Sequence, residues 1–332
     1  MSYTLPHRNR RLRASSPNRG LQRETRLHPD QLIYPMFLCT GQQEQQKIDS
    51  LPGQYRWSID LLPEICAENF KKGVRSINLF GNSSEKTPTG EGALDPDGLV
   101  PSAIRQLKQL LPDLNIQTDL ALDPYTDHGH DGILMNGHVD NDATVEILQR
   151  MALIHAQAGV DWVAPSDMMD GRVGAIRHFL DINGHTKVCI LAYTAKYASC
   201  FYGPFRGALD TAALSGGLSD KKTYQMDPAN RREALREARY DIQEAADAIM
   251  VKPASHYLDV VMALKQNFDL PVAAYQVSGE FAMMHAAAEK GWIDLEKAME
   301  ESLLCIARAG ADMILTYFAP QMAERLQNGP LS

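Results

Sequence analysis

Short apolar runs separated by segments of helical spacing set the frame of the chain from residue 31 onward. Strand-like runs fall at Leu32–Phe37, Val74–Phe80, Ile116–Leu122, Trp162–Pro165, Val188–Tyr193, Ala248–Val251, Val272–Tyr275 and Met313–Phe318. Between them, apolar residues recur at helical intervals over Leu61–Lys72, Ala143–Ala158, Arg231–Ala245, Tyr257–Gln266 and Leu295–Ala307. Gly73, Gly159, Gly291 and Gly310 stand at or near helix ends, where a left-handed C-cap requires glycine. Eight strand-like runs alternating with helices predict an α/β fold, a parallel (β/α)₈ TIM barrel. A doubly wound open sheet is the alternative, but no glycine-rich phosphate turn follows the first strand. One catalytic domain over residues 31–332 and an N-terminal arm over residues 1–30 are expected.

The arm breaks the pattern. Arg8, Arg10, Arg11, Arg13, Arg19, Arg23 and Arg26 crowd a segment with little apolar content. A solvated arm, a nucleic-acid tail and an arm embracing an acidic neighbouring subunit are three readings; the second is weakened because no aromatic residues interleave for stacking. The formal charge of −8 over 332 residues disfavours a polyanionic partner for the barrel. No apolar run approaches membrane-spanning length, and the N-terminus lacks the apolar core of a secretory signal. The five cysteines are scattered, without metal-ligand spacing. A cytoplasmic protein with reduced, mostly buried cysteines is expected, binding neither nucleic acid nor membrane.

In a parallel barrel, chemistry sits at the C-terminal ends of the strands. The sixth run ends Met250-Val251-Lys252-Pro253, and proline, lacking an amide proton, should stop the strand at Lys252. Apolar walls beneath that lysine would lower its pKa and leave more free amine to attack a carbonyl; a side chain snorkelling from the rim is the competing reading, but it would need no proline lock and no second lysine. The fifth run leads likewise into Lys196. After the third run, Asp119, Asp123, Asp127 and Asp131 stand with His128 and His130 in thirteen residues. That loop suits a hard cation, a set of carboxylates around a substrate ammonium, or a merely polar turn.

Other strand ends say less. Asp170 is expected as an N-cap, and Ser166 stays open. Some thirty residues separate Lys196 from the next expected helix, a length typical of functional lids. In that stretch Arg206, Lys221 and Gln225 could bind a carboxylate or form a solvated face. Ser278 is either an N-cap or a ligand-binding hydroxyl, and Tyr317 suits a packed core tyrosine.

The segments Met250-Val251-Lys252-Pro253-Ala254, Phe201-Tyr202-Gly203-Pro204-Phe205-Arg206, Thr223-Tyr224-Gln225-Met226 and Tyr275-Gln276-Val277-Ser278-Gly279-Glu280 resemble the porphobilinogen synthase (5-aminolevulinate dehydratase) family. The similarity extends from the Arg10–Arg13 arm to Tyr317. It implies a (β/α)₈ barrel that condenses two 5-aminolevulinate molecules into porphobilinogen with loss of two waters, an early step of tetrapyrrole and heme synthesis. Lys252 would form the Schiff base with the propionate-side substrate, and Lys196 would serve the acetate-side one. Ser278, Tyr317 and Tyr275 would hold the first carboxylate; Arg206, Lys221 and Gln225 the second. Tyr202 and Phe205 would close over the site, with Asp119 an active-site acid.

Zinc-dependent members resemble a three-cysteine pattern where this chain has Ala121, Asp123 and Asp131, so no thiolate zinc site is expected. The resemblance implies instead the aspartate-rich branch, with Asp123 and Asp131 against the acetate-side amine. It also implies an activating, allosteric magnesium at Glu237, for which a plain helix-surface glutamate is the competing reading. A homo-octamer with arms wrapped around neighbouring barrels is the implied assembly. A class I aldolase-type lyase would need one lysine and a phosphate pocket; a non-catalytic barrel would need no such set of residues.

Overall fold

The computed structural model describes residues 5–83, 85–209, 218 and 220–328. Eight parallel strands, β1 (Leu32–Leu38), β2 (Ser76–Phe80), β3 (Asn115–Leu120), β4 (Trp162–Pro165), β5 (Cys189–Lys196), β6 (Ala248–Lys252), β7 (Val272–Gln276) and β8 (Met313–Thr316), pair in chain order. Pairing of Leu32 with Ile314 closes β1 onto β8, which makes the sheet the expected TIM barrel. The strands are almost wholly buried because the wall is covered on both faces.

Outside lie α1 (Leu62–Lys71), α2 (Leu99–Leu110), α3 (Asn141–Ala158), α4 (Arg172–Ile182), α5 (Arg232–Gln243), α6 (Leu258–Asn267), α7 (Ser278–Glu289), α8 (Leu295–Arg308) and α9 (Ala319–Gln327). Local chemistry sets their ends. Asp140 accepts the Ala143 amide at 2.9 Å to start α3, and Gly159, at φ 102°, ends it.

At the N-terminal face of the barrel one device recurs on alternate strands. Asp161, Asp247 and Asp312 each directly precede a strand, and each carboxylate accepts an amide from the strand before: Ile116 at 2.7 Å, Ile190 at 2.7 Å and Val272 at 2.8 Å. These bonds tie neighbouring strands in register at the face opposite the strand ends at Lys196 and Lys252.

Several expectations are corrected. Asp170 is not the N-cap of α4: Gly171 occupies that position with φ 75°, and the Asp170 amide donates instead to Asn141 Oδ1. The stretch after Lys196 is not structureless, because a turn over Cys200–Tyr202 runs into a short lid helix, Gly203–Ala208. Only Cys39 and Cys66 of the five cysteines are buried, and all are free thiols. A hairpin of Gln45–Lys47 and Tyr55–Trp57, absent from the apolar pattern, extends β1 at the barrel mouth.

In this single chain the arm is mostly exposed. Its turn over Asn9–Arg13 and its helix over Ser16–Leu21 bury no residue, and Leu12 and Leu21 face solvent.

Candidate active site

Two adjacent strands deliver the two lysines. Lys196 ends β5, Lys252 ends β6, and they are direct register partners. The sheet therefore holds both side chains at one level of the mouth, and both are buried.

Their surroundings differ. Lys252 Nζ sits 4.6–5.3 Å from the ring centres of Tyr275, Phe205, Tyr193 and Tyr202. Among the described residues it has no carboxylate within ion-pair distance. Burial first, and the neighbouring Lys196 charge second, lower its pKa to about 7. Lys196 Nζ instead donates to Asp131 Oδ2 at 2.8 Å and to the Ser166 carbonyl.

Asp131 is the hinge of the polar half. Its other oxygen takes Lys221, which also reaches Asp123 Oδ2 at 3.3 Å. Burial alone would raise the Asp131 pKa, but the two lysines outweigh it and hold the carboxylate ionised. Burial likewise opposes charge on Lys221, and Asp123 with Asp131 overcomes it, leaving its pKa above the ordinary value. Asp119, on the inner face of β3, is pushed up to about 7 by burial, against the pull of Lys252 and Lys196. It is poised near neutrality to exchange a proton. One of its oxygens lacks a hydrogen-bond partner.

A lid of aromatic and cationic residues covers this layer. The Tyr202 hydroxyl donates to the Lys252 carbonyl at 3.0 Å. Phe205 lies against Phe37 and Phe80, with ring centres at 5.6 and 5.3 Å. Ser278 Oγ accepts the Phe205 amide at 3.0 Å, which ties the start of α7 to the lid helix. The Tyr275 and Tyr317 hydroxyls meet at 3.1 Å beside it. Gly279 is required where the lid turn crosses α7, because a Cβ there would lie 2.5 Å from the Phe201 carbonyl oxygen. Arg56, from the mouth hairpin, donates to the Ala208 and Gly207 carbonyls at 2.6 Å each, capping the end of the lid helix. Half-buried Arg206, on the lid helix, acts electrostatically on Tyr224, whose hydroxyl accepts the Asp131 amide at 3.3 Å.

Glu237 lines a cleft of about 530 Å³ together with Met168, Asp170, Glu233 and residues 222–227, among them Gln225, whose backbone amide donates to the Lys221 carbonyl at 2.9 Å. Burial, and then the charge of Asp241, raise the Glu237 pKa. His128 and His130 shape the third loop: His128 Nδ1 accepts the His130 amide at 3.2 Å.

Sequence reasoning missed three kinds of group. The Ser166 carbonyl, a main-chain acceptor, has no side-chain signature, and the aromatic wall of Tyr193, Phe37 and Phe80 reads only as core. Arg172, which braces the turn after β4, reads as an ordinary start of a helix.

Comparison with known proteins agrees with this geometry. The family model described as delta-aminolevulinic acid dehydratase matches residues 6–325. The chain is 53% identical over 327 residues to the chloroplastic delta-aminolevulinic acid dehydratase of Physcomitrium patens, covering 97% of this chain and 74% of that one. It is 48% identical over 330 residues to the Chlamydia pneumoniae protein of the same name, covering 99% and 98%. The Toxoplasma gondii enzyme, solved in complex with its reaction product porphobilinogen, superposes with a TM-score of 0.95 at 45% identity, covering 98% and 93%.

Proposed function

The chain belongs to the delta-aminolevulinic acid dehydratase family, and we propose that Lys252 and Lys196 are the two amines through which it works. It condenses two 5-aminolevulinate molecules to porphobilinogen with release of two waters, consistent with a place in tetrapyrrole synthesis. The observation that carries the assignment of Lys252 is its buried amine within four aromatic rings, with no carboxylate partner among the described residues. That amine attacks the substrate carbonyl carbon, water leaves, and a C=N bond forms. The protonated imine then draws electrons from the adjacent carbon, easing proton loss and bond formation there. Lys196 takes the second substrate once Asp131 yields it. Asp119 moves protons between them, and Asp123 and Asp131 receive the acetate-side ammonium. Tyr275, Tyr317 and Ser278 bind one carboxylate; Lys221, Arg206 and Gln225 bind the other, with Tyr202 and Phe205 closed above. Holding both substrates in one mouth turns a bimolecular encounter into a positioned reaction.

The test is direct. The protein is incubated with 5-aminolevulinate, porphobilinogen is measured colorimetrically, and borohydride trapping is followed by peptide mapping. Porphobilinogen formed without an adduct on Lys252 would overturn that lysine's role.

The aspartate-rich branch, magnesium, a cytoplasmic location and the octamer belong to the same proposal. Ala121, Asp123 and Asp131 offer no thiolate, and the two carboxylates already contact lysines, which does not suit zinc. The carboxylates of Glu237, Asp170 and Glu233 line one cleft, yet among the described residues no three candidate ligands converge on a point. That arrangement fits a hydrated magnesium, which keeps most of its waters and takes few protein ligands. The exposed leucines and the arginines Arg10, Arg11 and Arg13 of the arm support docking on a neighbouring copy, which light scattering of the purified protein would measure. No helix among the described residues is long and apolar enough to cross a membrane.

A further inference from the structure

Arg172 is almost wholly buried, with 3% of its surface exposed, although it opens a helix at the barrel rim. Its guanidinium reaches two pieces of backbone. Nη1 donates to the Met169 carbonyl at 3.1 Å, and Nη2 to the Tyr193 carbonyl at 3.3 Å. Two buried carboxylates flank it at 3.6 Å, Asp167 from the turn after β4 and Asp241 from α5. Glu237 and Glu244 add more distant negative charge. Each carboxylate is itself tied down. Asp167 Oδ1 accepts the Met169 amide at 2.7 Å, and Asp241 Oδ2 accepts the Thr194 hydroxyl at 2.6 Å.

These contacts join the two segments that set the geometry of Lys196. Tyr193 and Thr194 belong to the strand that carries the lysine. The Ser166–Met169 turn supplies its main-chain acceptor, the Ser166 carbonyl. That turn holds Met168 at φ 70°, a left-handed conformation that a side chain adopts at a cost and that persists only where surroundings over-determine it. The Ser166 amide is anchored to the Leu120 carbonyl at 2.9 Å, so the turn has one end fixed on β3 and the other on Arg172.

We propose that Arg172 is a positioning residue for Lys196: with Asp167 and Asp241 it locks the Ser166–Met169 turn against β5, so that the Ser166 carbonyl aims the amine at the second substrate. The inference rests on Lys196 being the second imine-forming lysine. A buried ion cluster that only braced the fold would affect both lysines alike. A positioning device acts first on Lys196, whose carbonyl acceptor lies in the braced turn, and reaches Lys252 only through Tyr193, one of the four rings around it.

The test uses the full chain with Arg172→Lys, which keeps the charge and loses the planar fork, and Asp167→Asn, which keeps the shape. Each is incubated with saturating 5-aminolevulinate, trapped with borohydride and mapped, and kcat and KM are measured alongside the thermal midpoint. The Lys196 adduct should fall about tenfold or more relative to the Lys252 adduct, with kcat falling and the Lys252 adduct retained. An unchanged ratio of adducts, or loss of both together, would overturn the proposal. If Arg172→Lys does not fold, Asp167→Asn gives the same ratio. Wild-type protein trapped on Lys252 alone would overturn the two-imine reading instead, a result visible before either variant is made.

Discussion

Lys196 and Lys252 are register partners on neighbouring strands, and the barrel gives them opposite electrostatic surroundings. One is locked to a carboxylate and a carbonyl; the other faces four aromatic rings. On the roles proposed above, an order of events follows. The amine without a carboxylate partner among the described residues would attack first, and the paired one would wait for Asp131 to be drawn away.

The pH dependence follows from the lowered Lys252 pKa. Free amine accumulates as pH rises through about 7, so kcat/KM should climb across that range. Asp119 titrates in the same window, so the midpoint belongs to the pair. Between about 7 and the ordinary lysine value the unfolded chain binds one more proton at this position than the folded chain. Stability therefore gains from this group as pH rises across that window. Lys252→Met should cut porphobilinogen formation by about 10³-fold or more. Its thermal midpoint at neutral pH should rise above wild type, because a buried charge is gone.

Phe205→Ala tests the aromatic box. Removing one wall readmits water to Lys252 and favours its charged form, so the acidic limb of the pH–rate profile should move up by about one unit. An unmoved limb would mean that the ring does not set the amine's pKa.

Asp131→Asn should be the most damaging isosteric change. It strips a shared negative charge from two largely buried lysines. A loss of about 3–5 kcal/mol in urea unfolding is expected, as for breaking a buried pair. A loss below 1 kcal/mol would show that the ion pairs are solvated in solution.

Gly279→Ala probes the lid without touching a reacting group. The new Cβ would meet the backbone of Phe201 and push away the turn that carries Tyr202 and Phe205. KM should rise about tenfold to a hundredfold, a larger effect than the fall in thermal midpoint that the backbone clash also brings. Steady-state kinetics beside a melting curve separates lid displacement from general instability.

Metal dependence is read by chelation and re-addition. Activity should fall with chelator and return with magnesium. Glu237→Gln should raise the half-saturating magnesium concentration about tenfold or more while leaving the Lys252 adduct in place. Restoration by zinc alone would contradict the assignment.

The barrel was legible because eight buried strands leave apolar runs that few other folds would repeat. Two helices, α2 and α9, were not. Pro101 stands in the first turn of α2, and Pro320 opens α9. Each looks like a loop until packing overrides local preference. The lysines could be placed because a strand end followed by proline has a sequence signature. Asp161, Asp247 and Asp312 also left one, an aspartate directly before a strand, but its meaning lies in an amide on another strand. Ser166 and Arg172 act through main-chain carbonyls, which no side-chain pattern encodes.

Asp131 bridges a lysine of the barrel to a lysine of the segment that folds over it. The resting pocket thus carries its own stand-in for the incoming acid group. On the roles proposed above, a ligand would have to bring a carboxylate of its own to displace it, and that exchange would set Lys196 loose. An amino ketone without a carboxylate should therefore be trapped on Lys252 and leave Lys196 unmodified. On that reading the site would screen its second guest by ion exchange before any covalent bond is at stake.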